Sequence, residues 1–282
     1  MGESIYAYPI TSDNGYFLYY DKKFISDEDA TNMTSILAKC RAAGKVLNFE
    51  GRSNGFYAAS YFLATGCTSE WELDEKTGKF KNYTDTFSGE NGVIAAKGLK
   101  EIADTSVVAS NSQASKLDGT AAAVISGVWE YEVALRRLGP ERLGCAEMPN
   151  FTVDGTSYHL SSYDGYKLMG VKPQVDAKKA SVCRKLARYL TGGSCQTERF
   201  KEVSWGPTNN EASAREEVKS HPGLAALYKQ HEYATQQGQC PGAWFVALST
   251  TAKAVTANST DAQIREVLQN YRNGLDELLS ED

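Results

Sequence analysis

An α/β fold is the class this sequence predicts. Segments with strand character alternate with segments whose apolar residues recur at helical spacing, and the last third of the chain is helix-rich. The 282 residues are 41% hydrophobic and 23% charged, the balance of a globular chain long enough to bury a core or two.

The elements follow in order. Segments 5–10 and 16–20 read as short aromatic strands, broken by the turn formers Thr11-Ser12-Asp13-Asn14-Gly15. Ser26 is placed to cap a helix with an acidic first turn, Asp27, Glu28 and Asp29. Its stripe is Ala30, Met33, Ile36, Leu37 and Cys40, and Gly44 ends it. A strand over 46–49 comes next, then an aromatic helix over 54–63 started by Asn54-Gly55 and closed by Gly66. Lys76-Thr77-Gly78-Lys79 sits between alternating segments in 70–83 and predicts a hairpin. Ser88 is the expected cap of a helix bearing Val93, Ala96, Leu99 and Ile102. A small-residue strand over 120–125 and a helix over 129–138, stopped by Gly139-Pro140, follow.

Further strands are expected at 143–148 and 166–171. A helix from Asp176 has the stripe Ala180, Cys183, Leu186, Ala187 and Leu190, with Gly192-Gly193 behind it. Helices starting near Cys195, Glu211 and Leu224 and over 244–257 precede a last one over 260–279. That one carries Ile264, Val267, Leu268, Tyr271, Leu275 and Leu278 at helical spacing.

Charge and motif narrow the function. Thirty basic against 35 acidic residues give a net charge of -5 with no basic stripe, which argues against nucleic acid as a partner. The six cysteines form no C-x-x-C pair, so neither a zinc ribbon nor a thioredoxin-like motif is supported, and buried free thiols are expected for most of them. His159, His221 and His231 lack the spacing of a helical metal pair, and no metal or cofactor is expected. Met1-Gly2-Glu3-Ser4 leads into Ile5-Tyr6 without a basic start or an apolar run, so no export signal is visible there. The nucleophile elbow, the phosphate-binding glycine loop and the zinc helix of metalloproteases are absent. A glycosidase would need two opposed carboxylates; Asp13, Asp164, Glu130 and Glu132 lie near aromatics, but spacing selects no pair.

Binding a sugar needs aromatic faces for the C–H faces of pyranose rings and planar polar groups for the hydroxyls. The chain is rich in such rings, with 16 Tyr, 10 Phe and 4 Trp. Asp13-Asn14, Asn54-Gly55-Phe56-Tyr57, Ser126-Gly127-Val128-Trp129 and Gly242-Ala243-Trp244 are the candidate segments. On residues alone, the favoured reading of Trp129 and Trp244 is as core anchors.

A longer set of matches runs in order along the chain. It comprises Tyr8-Pro9-Ile10, Tyr19-Tyr20-Asp21-Lys22, residues 54–66 and 119–129, Met148-Pro149-Asn150-Phe151-Thr152-Val153-Asp154-Gly155, residues 166–171, and Trp205-Gly206-Pro207-Thr208-Asn209. In these the chain resembles the extracellular solute-binding proteins of carbohydrate ABC transporters, in the maltose-binding branch. The resemblance implies a type II periplasmic-binding-protein fold, in which two lobes close on an oligosaccharide without cutting it, and a permease as partner. It implies an extracellular or periplasmic location, held at the membrane by a lipid anchor or by the permease. Phe56, Tyr57, Trp129 and Trp244 would be stacking rings, Asp13 or Asn14 a hydroxyl-bonding group, and Asn54 would stand where maltose-binding protein has a glutamate. Leu248 falls where that protein has an arginine, a departure that bears on maltose itself.

Relatives carry a long stretch before the Tyr8-Pro9-Ile10 match. By analogy, 13–160 and 213–282 make the second lobe, and 1–12 and 161–212 are hinge and remnant of the first. That remnant would pack elsewhere or pair with another copy, giving a homodimer. A carbohydrate hydrolase, or a protein-interaction lobe without sugar binding, are the alternative readings.

Overall fold

Residues 16–20, Tyr-Phe-Leu-Tyr-Tyr, are aromatic or apolar at every position, the pattern of a strand covered on both faces. In the computed structural model, which describes residues 6–281, the strand Phe17–Asp21 is buried throughout and lies inside a five-stranded sheet. Across the sheet the order is Val108–Ala109, Val46–Asn48, Ala121–Ser126, Phe17–Asp21 and Leu143–Ala146. Phe17–Asp21 runs against both of its neighbours, with Tyr19 opposite Val124 on one side and Cys145 on the other. Val46–Asn48 pairs in parallel with Val108–Ala109 and Ala121–Ser126.

Successive side chains of a strand point to opposite faces, so this sheet divides two cores. Tyr16, Leu18 and Tyr20 enter the larger, with Met33, Tyr57, Val93, Trp244 and Ile264 from the helices Met33–Ala42, Gly55–Ala64, Glu90–Leu99, Gly242–Ala254 and Asp261–Glu281. Phe17 and Tyr19 enter the smaller, packed by Tyr131 and Leu138 of Tyr131–Arg142 and by Leu224 and Leu227 of Pro222–Gln230.

Most expected elements are present, with informative shifts. The first strand is Ala7–Thr11; Ile5, like the first four residues read for an export signal, lies outside the described residues. Ser26 does not start the long helix. Its Oγ accepts from Asp29 N (3.1 Å) while the Asp29 carboxylate accepts from Ser26 N, a closed box on one short turn, and Asn32 caps Met33–Ala42 by accepting from Ser35 N. Helix Glu90–Leu99 starts after Gly89 without any side-chain cap, so Ser88 is not its cap either. Gly139 (φ 70°) breaks the helix begun at Tyr131, where Gly139-Pro140 was expected to stop it. The hairpin Ser69–Leu73 with Phe80–Asp85 turns through Gly78 as expected. A second hairpin, Asn150–Val153 with Thr156–His159, was not expected; Asp154-Gly155, both at positive φ, supplies the tight turn that this dipeptide favours.

Ala7–Thr11 pairs antiparallel with Lys167–Gly170 as a separate two-stranded sheet. Helix Ala177–Leu190 rests against it on Ala180 and Ala187, while Leu186, expected in the same stripe, is 55% exposed.

Candidate functional site

In a sheet with parallel strands, ligands bind in the crevice beyond the strands' carboxyl ends, where loops diverge. Three such loops meet here. The loop after Val46–Asn48 brings Glu50 and Asn54, the one after Val108–Ala109 brings Asn111 and Ser112, and the one after Ala121–Ser126 brings Trp129 and Glu130. Glu50 joins the first two, its Oε2 accepting from Asn54 Nδ2 (3.3 Å) and Ser112 Oγ (3.5 Å). Glu130 ties the second to the third by accepting from Ala114 N at 2.7 Å.

Tyr57 sits amid these loops. Burial pushes its hydroxyl up from the ordinary tyrosine value, the Ser112 and Ser126 hydroxyls oppose that, and the Glu50 and Glu130 carboxylates add to it. The group therefore stays protonated and can both donate and accept.

Rings flank the polar centre. Half-buried Phe56 stacks on Tyr163 (5.2 Å, 24°) and meets Tyr16 edge-on (5.1 Å), and half-buried Phe245 meets Tyr163 at 6.3 Å. Trp129 is 39% exposed, and its ring lies so close over Gly127 that a Cβ there would be 2.1 Å from it. Lys167 Nζ stands 5.6 Å from the Trp129 ring centre and 5.2 Å from that of Trp205.

The expected site residues divide. Phe56 and Trp129 are brought to the carboxyl edge; Tyr57 lies beneath it, 4% exposed and packed in the larger core with its hydroxyl among the loops. Asn54 is there too, but its Oδ1 caps the helix by accepting from Phe56 N (3.0 Å), leaving its amide nitrogen to Glu50. Asp13 is a correction. It is fully buried and accepts from Thr11 Oγ1 (2.6 Å), Lys167 Nζ (2.7 Å) and Gly206 N (3.1 Å), so it ties these three segments together rather than facing solvent. Asn14 donates to Asp164 O and Gln237 Oε1 and borders a separate shallow depression with Tyr166.

Trp244 is the second correction. It is 3% exposed, packs edge-on against Phe87 at 5.7 Å, and gives its Nε1 hydrogen to Tyr271 Oη at 2.8 Å. One helical residue turns the side chain by about 100°, so the outward place falls to Phe245. Sequence reasoning missed Phe245, Tyr163, Glu50 and Ser112, and weighed Glu130 only as a hydrolytic acid. Their shared signal, a position at or just past a strand's carboxyl end or beside a helix start, was legible but not specific.

The other nominated acids have separate duties, Glu132 accepting from Ser204 Oγ (2.6 Å) and Asp164 from Gly165 N (2.5 Å). Among the described residues no group of three or more His, Cys, Asp or Glu could hold a metal ion; the six cysteines are free thiols, but only Cys40 and Cys67 are buried, where most were expected to be.

Fold and side chains together bring rings, hydroxyls and carboxylates to the carboxyl edge of an α/β sheet. The model of the bacterial extracellular solute-binding proteins matches residues 1–226, and the chain belongs to that family. No curated protein matches the sequence. A solved structure described as being with acarbose is 26% identical with a TM-score of 0.78, covering 98% of this chain and 71% of its own. The maltodextrin-binding protein of L. casei BL23, without ligand, is 19% identical (TM-score 0.71, 98% and 70% covered). The maltose/maltodextrin-binding domain of Bdellovibrio bacteriovorus, bound to maltotriose, is also 19% identical (TM-score 0.73, 96% and 73% covered). These likenesses establish the type II periplasmic-binding-protein fold.

Proposed function

We propose that this chain binds an oligosaccharide of the maltodextrin kind, without cutting it, for delivery to an ABC importer. The observation that supports the reading is the pair of accessible rings, Trp129 and Phe56, on loops at the carboxyl edge of the sheet, where Ser112, Glu50 and Glu130 join the same loops. Rings take the C–H faces of a pyranose, and the polar groups replace water at its hydroxyls. The ligands of the similar solved structures, acarbose and maltotriose, support the same class. On this reading the protein works outside the cytoplasm beside a permease, tethered by it or by a lipid anchor.

Residues 13–160 and 213–282 make one lobe; 1–12 and 161–212 belong to another. Exposed Tyr166, Leu168, Val182, Leu186 and Tyr189 support this division, being apolar side chains on elements that lack cover. The same exposure supports a second reading, self-association through this face. Sedimentation at several concentrations tests it, and an unchanging monomer removes it. Titration with maltotriose, followed by tryptophan fluorescence, tests the sugar reading. Binding is expected to fall about tenfold in Trp129→Ala with stability kept, and a chain that binds no maltodextrin, alone or with a permease, overturns it.

A further inference from the structure

A cavity of about 400 Å³ lies behind the aromatic wall of the crevice, between the Ser69–Leu73 hairpin strand, the end of helix Gly55–Ala64 and the loop 235–240. Its floor is Phe87, Tyr163 and Trp244, and Trp71 and Phe245 stand at its sides. Tyr163 also stacks on Phe56, so the cavity and the crevice share one layer of rings, whereas Trp129, Glu50 and Glu130 do not border it.

The walls are fixed in place. Trp71 stacks on Tyr83 (4.9 Å, 24°) and gives its Nε1 hydrogen to Ser69 Oγ. The loop is held by Thr235 N to Ser162 O (2.9 Å), Gln237 N to Asp164 O (3.0 Å) and Asn14 Nδ2 to Gln237 Oε1 (3.0 Å). A shape held this way needs little reordering to receive a ligand.

The lining contains no Lys, Arg or His, and Glu70 is its one acid. An anion would lose its water there with no cation in return, so anionic ligands are disfavoured. Rings on several sides, with the amides of Gln237 and Gln239 and the hydroxyls of Thr68 and Thr235 at the mouth, suit a small neutral molecule with apolar faces and a hydroxyl edge. The volume falls at the lower end of the ~300–1,000 Å³ typical of small-ligand pockets. We propose that this cavity is a second saccharide site, taking a neutral mono- or disaccharide independently of the crevice. The proposal rests on the sugar-binding reading of the crevice.

Calorimetric titration of the whole chain with maltose and with maltotriose tests it, using Gln239→Trp to fill the cavity from its exposed rim and Trp71→Ala to remove one wall. The expected result is two maltose sites per chain in the parent. Gln239→Trp loses one of them, Trp71→Ala weakens the same one at least fivefold, and maltotriose binding to the crevice is unchanged in both. Trp129→Ala does the reverse. Should Trp71→Ala fail to fold, Gln239→Trp alone decides, since Gln239 is an exposed loop residue. One maltose site per chain, unaffected by Gln239→Trp, overturns the cavity site and leaves the crevice reading standing. No saccharide binding at either place overturns both.

Discussion

Replacing Trp244 with alanine separates a core anchor from a ligand platform. The indole is 3% exposed, and it contacts Phe87 and Phe245 edge-on at 5.7 and 4.8 Å. Removing a buried Trp side chain costs about 3–5 kcal/mol through lost transfer and the cavity left behind. Its Nε1 hydrogen is also a donor to Tyr271 Oη (2.8 Å), which in turn donates to Asp85 Oδ2 (2.8 Å). Burial already raises the pKa of Asp85, opposed by these donors and by Phe87 N, so cutting the chain leaves a desolvated carboxylate less well held. The loss therefore falls toward the upper half of the range, about 4–5 kcal/mol. For a chain of this size that corresponds to a fall in Tm on the order of 10 °C. Thermal and urea unfolding followed by circular dichroism measure it. A loss below 1 kcal/mol would refute the assignment of Trp244 to the core and return it to the crevice.

Three further outcomes follow from the same geometry. Gly127→Ala places a Cβ 2.1 Å from the Trp129 ring, so the ring must swing away; the mutant should lose about 1–3 kcal/mol, shift its tryptophan emission and bind maltotriose more weakly, and an unchanged spectrum counts against the contact. Asp13→Ala strips Lys167, Thr11 and Gly206 of a buried acceptor. With Lys167 partly in solvent, the cost is roughly 2 kcal/mol by urea unfolding, and a neutral result would mean that the joining of these segments does not depend on this carboxylate. His221 Nδ1 accepts from Leu224 N at a helix start, and burial depresses its pKa to about 4. The unfolded chain, near pH 6.5, takes up the proton first, so stability is full above pH 6.5 and declines as pH falls toward 4. The decline amounts to about 2–3 kcal/mol after allowance for partial solvent access. His221→Asn, which keeps a capping acceptor, should flatten that slope, and an equally steep slope in the mutant would assign the acid sensitivity to other groups.

Periodicity is local, so residue pattern alone was enough for the α/β class and for most of the elements in their order. The stripe Ile264, Leu268, Tyr271 and Leu275 is buried in one core as its spacing requires, and the Asn54 cap and the Gly78 turn need only their own neighbours. Family membership was legible for a similar reason, since ordered short motifs survive as a linear pattern. Local pattern did not place the start of one helix correctly: Ser26 was the expected cap, but Asp29 closes Ser26 onto a separate turn and Asn32 caps the helix. Nor did it decide which ring of an adjacent pair faces a ligand. Trp244 turns inward because Tyr271 and Phe87, distant in sequence, make a slot for it, and Phe245 is left at the surface of the wall. Asp13 reads as a ligand group until the fold brings Lys167 and Gly206 from more than 150 residues away to neutralise and hold it. The three loops at the carboxyl edge come from distant parts of the chain, and only the packing of the sheet between its two cores brings them together. Contacts between residues far apart in the chain are fixed by burial and shape complementarity, quantities that no window along the sequence contains.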